Sequence, residues 1–338
     1  MIGVFWHWLQ SRNHLLPLVW ICFSVVGFTT FLPFSLIYAC VFCALCVFWS
    51  YIEFMVQLSF RAPINRKPPL QQDPWILQDV IFRGRMIRVH HVEGAPEQPT
   101  LILTHGWTSG ASRMVKRAQP FLNKNWTVVM IDLPGHGISE SVTKWTAEYA
   151  TSALIESLRH VSRTSSLFEN RPVFYYGHSM GAFIGFRLSE RRLELPPTIQ
   201  FHGWIMESPM TGYSDIFIET CDLLRIPSMF RPIVLRRTIS QFNSLNQNKG
   251  KFTTLDQTNI PLWGMMKEPI LLVQATPDER LGDLHHERLT RVVQEMDPSP
   301  HLTVHPMKSL THSGAAEHHE RDGLVNDWVE EMMTHSSP

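Results

Sequence analysis

Gly177-His178-Ser179-Met180-Gly181 sets a serine between two glycines. An apolar, β-prone run, Pro172-Val173-Phe174-Tyr175-Tyr176, precedes it, and a helical-looking stretch, Ala182 to Leu188, follows. Strand, tight turn and helix around G-x-S-x-G is the context that lifts a serine hydroxyl out of a sheet and presents it as a nucleophile. Gly177 and Gly181 flank the turn because side chains there would collide with the neighbouring strand and helix. A serine hydroxyl is a weak nucleophile, so it needs a general base, and the base needs an orienting acid.

The turn resembles the nucleophile elbow of α/β-hydrolases, in which acid and then base follow the serine along the chain. After the apolar strand Ile270-Leu271-Leu272-Val273-Gln274 comes Ala275-Thr276-Pro277-Asp278. A carboxylate just past a strand end is where the acid belongs, and Asp278 fills that place. Asp283 is the local alternative, with a helix N-cap before Leu284 as its plainer role, and Glu207 past the preceding strand is a lesser one. The base should follow the last strand, His301-Leu302-Thr303-Val304, and His312 lies in the loop beyond it. An oxyanion hole needs two backbone N–H groups aimed at the developing charge. Met180, directly after the serine, supplies one, and Trp107 in His105-Gly106-Trp107-Thr108-Ser109-Gly110 supplies the other. His105, Gly106 and His178 are supporting residues of these motifs; a tight turn with a buried histidine accounts equally well for His105-Gly106.

Leu103-Thr104-His105-Gly106-Trp107, Asp132-Leu133-Pro134-Gly135-His136-Gly137, the elbow, Pro277-Asp278 and Thr311-His312 occur in one order. As a set they resemble the α/β-hydrolase superfamily, in particular the serine-hydrolase branch of monoacylglycerol lipases, lysophospholipases and serine aminopeptidases. The resemblance covers residues 76–335 and implies a mostly parallel sheet flanked by helices. It implies a serine hydrolase and leaves the substrate open, since the family hosts many reactions. The Asp132–Gly137 stretch resembles the family's structural loop beside the site. Serine at 179 argues against the branches that use aspartate there.

Composition narrows the rest. The chain has 338 residues and no formal net charge, so nothing points to a nucleic-acid partner. Four of five cysteines (Cys22, Cys40, Cys43, Cys46) lie in the apolar N-terminus, leaving Cys221 with no partner for a disulfide. The seventeen histidines include the pairs His90-His91, His285-His286 and His318-His319 but no C-x-x-C or H-E-x-x-H frame, so no metal and no cofactor is expected.

Leu15 to Ile52 holds no Asp, Glu, Lys or Arg. One straight helix of that length would run about 57 Å, nearly twice a bilayer core of about 30 Å. Pro33, Ser35 and Thr29-Thr30 near its middle favour a hairpin of two transmembrane helices, about 15–32 and 35–57, within an anchor of residues 1–60; a single span is the alternative. Arg12 before the block and Arg61, Arg66 and Lys67 after it put both ends, and the catalytic domain, on the cytoplasmic side.

Residues 61–75 read as a Pro-rich linker and 76–338 as the hydrolase domain. Asp79–Arg83, Met86–Val92, Thr100–Thr104, Trp126–Ile131, Pro172–Tyr176, His202–Met206, Pro269–Gln274 and His301–Val304 are the expected strands. Helices are expected at 146–163, 284–296 and 316–333. About 60 residues between Glu207 and Pro269, the insertion 208–268, show no strand-like run and many apolar positions. Long loops are usually functional, which predicts a helical lid; an inserted subdomain without substrate contact is the alternative.

These readings combine into a membrane-anchored serine hydrolase cleaving esters of lipophilic acyl groups, with a bilayer and a small lipophilic ester as its partners. Acyl transfer or peptide cleavage would use the same triad, and a silent, membrane-tethered binding module is the rival from another class. Oligomeric state is left open.

Overall fold

The computed structural model describes residues 15–63, 70, 73–246, 251–313 and 316–335. Arg12, Arg66, Lys67 and most of the expected linker therefore lie outside the described residues. The chain divides into two compact units: residues 1–62, 143–146 and 214–257 form one, and 63–142, 147–213 and 258–338 the other.

The larger unit is built on an eight-stranded sheet. Its strands are β1 (Ile76–Phe82), β2 (Arg85–Val92), β3 (Thr100–Thr104), β4 (Thr127–Ile131), β5 (Val173–His178), β6 (Phe201–Glu207), β7 (Ile270–Ala275) and β8 (Leu302–Met307). Their order is β1-β2-β4-β3-β5-β6-β7-β8. β1–β2 and β2–β4 pair antiparallel, and the other pairs are parallel. β3, β4 and β7 are buried along their whole length. That is the signature of parallel strands covered on both faces, and it explains their unbroken apolar runs. One core joins Leu101, Leu103, Phe174, Tyr176, Leu271 and Val273 of the sheet to Phe121, Val325, Trp328 and Val329 of flanking helices. Because β5 sits centrally with β3 and β6 on either side, the loops after β3, β5, β7 and β8 open at one sheet edge, where α/β proteins place their sites.

The expected strands are present, β3 with both ends as expected and the others with ends moved by at most three residues. A helix at Val115–Leu122 was not anticipated: it is short and carries Pro120, which removes a backbone donor and disguises the pattern.

The smaller unit contains α1 (Leu15–Phe31) and α2 (Leu36–Leu58), an antiparallel pair joined by a turn at Leu32–Ser35. Continuing in chain order, the larger unit's helices are α3 (Val115–Leu122), α4 (Ala147–Thr164) and α5 (Met180–Glu190), followed after the insertion by α8 (Leu284–Glu295) and α9 (His319–His335). The insertion holds α6 (Tyr213–Leu223) and α7 (Arg231–Leu245), and no strand occurs in it among the described residues. A Cβ at Gly27 would fall 2.0 Å from the Phe42 ring, so glycine lets α1 and α2 approach closely. The lower part of α2 packs on the insertion: Ile52, Val56 and Phe60 share a core with Phe217, Cys221, Ile226 and Val234. Phe48 and Tyr51 meet the Phe230 ring at 5.1 and 6.2 Å. Glu53, buried on α2, accepts two hydrogen bonds from Arg237 on α7, at 2.6 and 3.0 Å.

Candidate active site

Every residue of the candidate site lies in the larger unit. Ser179 follows β5 with φ 54 and ψ −115, a conformation that a non-glycine residue adopts only when its surroundings impose it. The surroundings do so here. Ser179 N–H donates to the Glu207 carbonyl at 3.0 Å, and its own carbonyl accepts from Ala182 and Met210 at 3.1 and 3.2 Å. A Cβ on Gly177 would sit 2.6 Å from Ala182 backbone, and one on Gly181 would sit 2.3 Å from the Thr104 carbonyl oxygen. The glycines allow α5 to start hard against β3 and β5, so the hydroxyl stands at the sheet edge.

The serine is at one end of a relay. Ser179 Oγ lies 2.9 Å from His312 Nε2, and His312 Nδ1 lies 2.8 Å from Asp278 Oδ2. All three are buried, with 8%, 7% and 6% exposure for Ser179, His312 and Asp278. Asp278 Oδ1 accepts from the N–H groups of Arg280 and Leu281 at 2.9 and 2.8 Å, and Gln274 Nε2 donates to Oδ2 at 3.2 Å. Burial alone would disfavour the Asp278 anion. The hydrogen bond from His312, the two amides and the electrostatic attraction of the His312 ring outweigh it and hold this carboxyl below its usual range. An ionised Asp278 accepts from Nδ1–H, which leaves the Nε2 lone pair facing the hydroxyl.

The His312 loop is held at three further atoms. His178 Nε2–H donates to the His312 carbonyl at 2.9 Å. Burial, and then the nearby Arg117 charge, lower the His178 pKa to about 3, so this ring is a neutral donor. Glu279 accepts from the His312 and Ser313 N–H groups at 3.0 and 3.2 Å. Beneath them Glu207 is fully enclosed. It takes hydrogen bonds from Arg117 Nε at 2.7 Å and from Tyr176 Oη at 2.5 Å, with Arg321 at 3.6 Å. Burial opposes its charge, but the Arg117 contact prevails and its pKa falls well below the carboxylate range.

The loop after β3 runs beside the elbow. A Cβ on Gly106 would lie 3.0 Å from His178 Nδ1 and 3.2 Å from Ser179 Cβ. His105 is wholly buried; its Nδ1–H donates to the Gly106 carbonyl at 2.8 Å, and its Nε2 accepts from Leu133 N–H at 3.0 Å. It thereby ties this loop to the one after β4. His136 places its ring 5.0 Å from His105 and 5.2 Å from Trp107. Asp132 organises the second loop, accepting from Ala111 and Ile138 N–H at 2.7 and 3.1 Å and contacting His90 Nε2 at 3.1 Å. Trp107 is 40% exposed, and Met180 is the first residue of α5.

The structure therefore brings Ser179, His312 and Asp278 together and puts Gly106 against them. Of the alternative acids, Glu207 is engaged by Arg117 and Tyr176, and Asp283 precedes α8 at its exposed N-terminus, 4.0 Å from His286. Sequence reasoning passed over Glu279, Arg117 and Tyr176. Glu279 adjoins Asp278 and was within reach of a positional argument; Arg117 and Tyr176 carry no motif. Among the described residues, no group of three or more His, Cys, Asp or Glu side chains is arranged to hold a metal ion.

A mostly parallel eight-stranded sheet with a serine on the sharp turn after its central strand is the α/β-hydrolase fold, and it bears out the resemblance to that superfamily. The family model described as serine aminopeptidase, S33, matches residues 95–262. The pimeloyl-[acyl-carrier protein] methyl ester esterase of Methylococcus capsulatus is 29% identical over 93 residues, 28% of this chain, and the match spans 32% of that esterase. An esterase of Pyrococcus furiosus superposes with a TM-score of 0.55 at 16% identity, covering 81% of this chain and 97% of that one. A membrane phospholipase A, described as a bacterial virulence factor, does so with 0.52 at 16% identity, covering 77% and 87%. These two likenesses show the shared fold.

Proposed function

We propose that the protein is a membrane-anchored serine hydrolase that cleaves carboxylic esters of lipophilic acyl groups. The observation that carries this reading is the continuous relay from Asp278 through His312 to Ser179 at the ends of β7, β8 and β5. Ser179 Oγ transfers its proton to His312 Nε2 and forms a bond to the acyl carbon. The backbone N–H groups of Trp107 and Met180 receive the oxyanion, and Asp278 stabilises the imidazolium. His312 returns the proton to the departing alcohol, leaving an acyl-enzyme. Water then gives a proton to His312 and bonds to the acyl carbon, and His312 returns that proton to Ser179 Oγ as the Oγ–acyl bond breaks and the acid leaves.

The lipophilic preference rests on the apolar helix pair and on the apolar insertion. α2 is long and apolar enough to cross a membrane, and in the sequence arginines flank the two-helix block as a whole, Arg12 before it and Arg61 and Arg66 after it. An enzyme held at a bilayer meets amphiphiles at high local concentration, and an apolar insertion serving as a lid would keep water from the acyl chain. The esterase and phospholipase relatives agree with ester chemistry. The serine aminopeptidase match favours peptide cleavage as the second reading, since the same relay serves an amide. Turnover of p-nitrophenyl esters of rising chain length, beside aminoacyl anilides, separates the two. Best turnover on longer acyl chains supports the proposal; best turnover on acetyl esters or on the anilides overturns it.

A further inference from the structure

The exposed apolar part of the smaller unit is too short to cross a bilayer. From Leu18 to Val47 most side chains of the hairpin are exposed; from Phe48 to Leu58 all but Phe54 are covered at least in part. The change falls where α2 meets Phe230, Ile226 and Val234 of the insertion. Above that level, α1 rises from Leu18 to Phe31 by about 20 Å and α2 from Val47 back to Leu36 by about 17 Å at 1.5 Å per residue. A hydrocarbon core is about 30 Å thick, so this height is closer to one leaflet than to two. The tip carries no charge for a far interface: Phe34 is 82% exposed, and Leu32, Leu36, Ile37 and Tyr38 are exposed beside it without a charged neighbour.

Charges mark the other limit. Glu53 lies about 26 Å below Leu36 along α2 at the same rise per residue. It is held by Arg237, and Lys144 is close enough to sense both charges, its pKa lowered by burial to about 8. Pushing the tip to the far interface would bring this cluster to the near edge of the hydrocarbon and carry the insertion's corner at Phe230, with Arg231 next to it in the chain, inside, which strongly disfavours ionised groups. Trp20 and Trp49 stack at 6.2 Å just above the cluster, at the depth where indole rings favour an interface. The corner between α6 and α7 sits at that same level through Phe230. There Leu223 and Met229 are exposed, Arg231 pairs with Asp222 and Arg237 with Glu53, and Arg225 and Arg236 are exposed beside them.

We infer that the hairpin and the α6–α7 corner form one monotopic membrane module, with the hairpin ending inside the hydrocarbon and the corner resting on an anionic headgroup layer. The module rests on the membrane-anchoring reading above and replaces two crossings by one entry and return. Leu223 and Met229 dip toward the acyl boundary, and Arg225 and Arg236 complement anionic lipid.

The test uses the full chain in vesicles of phosphatidylcholine with phosphatidylglycerol. The five native cysteines are replaced by alanine in a variant that retains fluorophosphonate reactivity, and a nitroxide is placed through Ser35→Cys or Leu223→Cys. The expected result at position 35 is strong relaxation by oxygen and none by a nickel chelate on either side of the membrane. The label at position 223 should lie near the interface, and shallower when phosphatidylglycerol is left out. Relaxation of the position 35 label by chelate trapped inside the vesicles would overturn the depth while leaving an anchored protein. Relaxation by chelate added outside would overturn anchoring and the module together. A position 223 label indifferent to phosphatidylglycerol would overturn the headgroup contact.

Discussion

Glu279 and His312 are joined through the backbone: the Glu279 carboxylate accepts the His312 N–H at 3.0 Å, one residue beyond the Asp278 carboxylate that accepts His312 Nδ1–H at 2.8 Å. Two adjacent carboxylates thus fix the main chain and the ring of the same histidine. Glu279→Gln should weaken the loop while leaving the Asp278 contact, and a small displacement of a catalytic group costs about tenfold or more in kcat. A steady-state comparison with KM unchanged is the expected signature.

The same pair sets an acid limit. Burial opposes the Glu279 charge, but the hydrogen bonds from the backbone, His312 and Ser313 among them, together prevail and keep its carboxyl below the usual value. A group whose folded pKa is depressed stabilises the fold above its unfolded pKa, about 4.3, and that contribution disappears as pH falls through the lower folded value. The Tm difference between wild type and Glu279→Gln should therefore be constant near neutrality and vanish in acid. A difference that grows on acidification would contradict it.

Asp278→Asn preserves the shape of the acid but removes the charge that selects the His312 tautomer. The expected loss is on the order of 10⁴-fold in kcat, with unfolding little changed. Circular dichroism on the same sample separates this from misfolding.

Arg117 neutralises an enclosed Glu207 directly below the elbow. Arg117→Ala leaves that carboxylate buried with less compensation, and breaking such a pair from one side costs about 3–5 kcal/mol. Urea unfolding should show this loss, and replacing both partners by apolar residues of similar volume should recover a large part of it.

Much of the sheet was legible because buried parallel strands are written as unbroken apolar runs, as in Thr100–Thr104 and Ile270–Gln274. The places of Ser179, Asp278 and His312 were legible because each lies beyond the end of a strand. The support beneath them was not. Arg117 lies on a short helix disguised by Pro120, and its partner Glu207 is 90 residues away, so neither periodicity nor spacing links them. The depth of the hairpin was hidden for a related reason. Leu15 to Ile52 reads as uniformly apolar, and only packing divides it at Phe48, where Phe230 of the insertion covers α2. Glu53, one residue past the uncharged block, is the sequence's trace of that boundary.

The central claim is that Ser179 is the nucleophile. Treating the full chain with a fluorophosphonate probe and mapping the adduct by peptide mass spectrometry tests it most directly. The account predicts a single phosphonyl adduct on the peptide containing Ser179, with adduct and esterase activity both lost in Ser179→Ala. No adduct on active protein, or an adduct on another serine that survives in Ser179→Ala together with the activity, would contradict it.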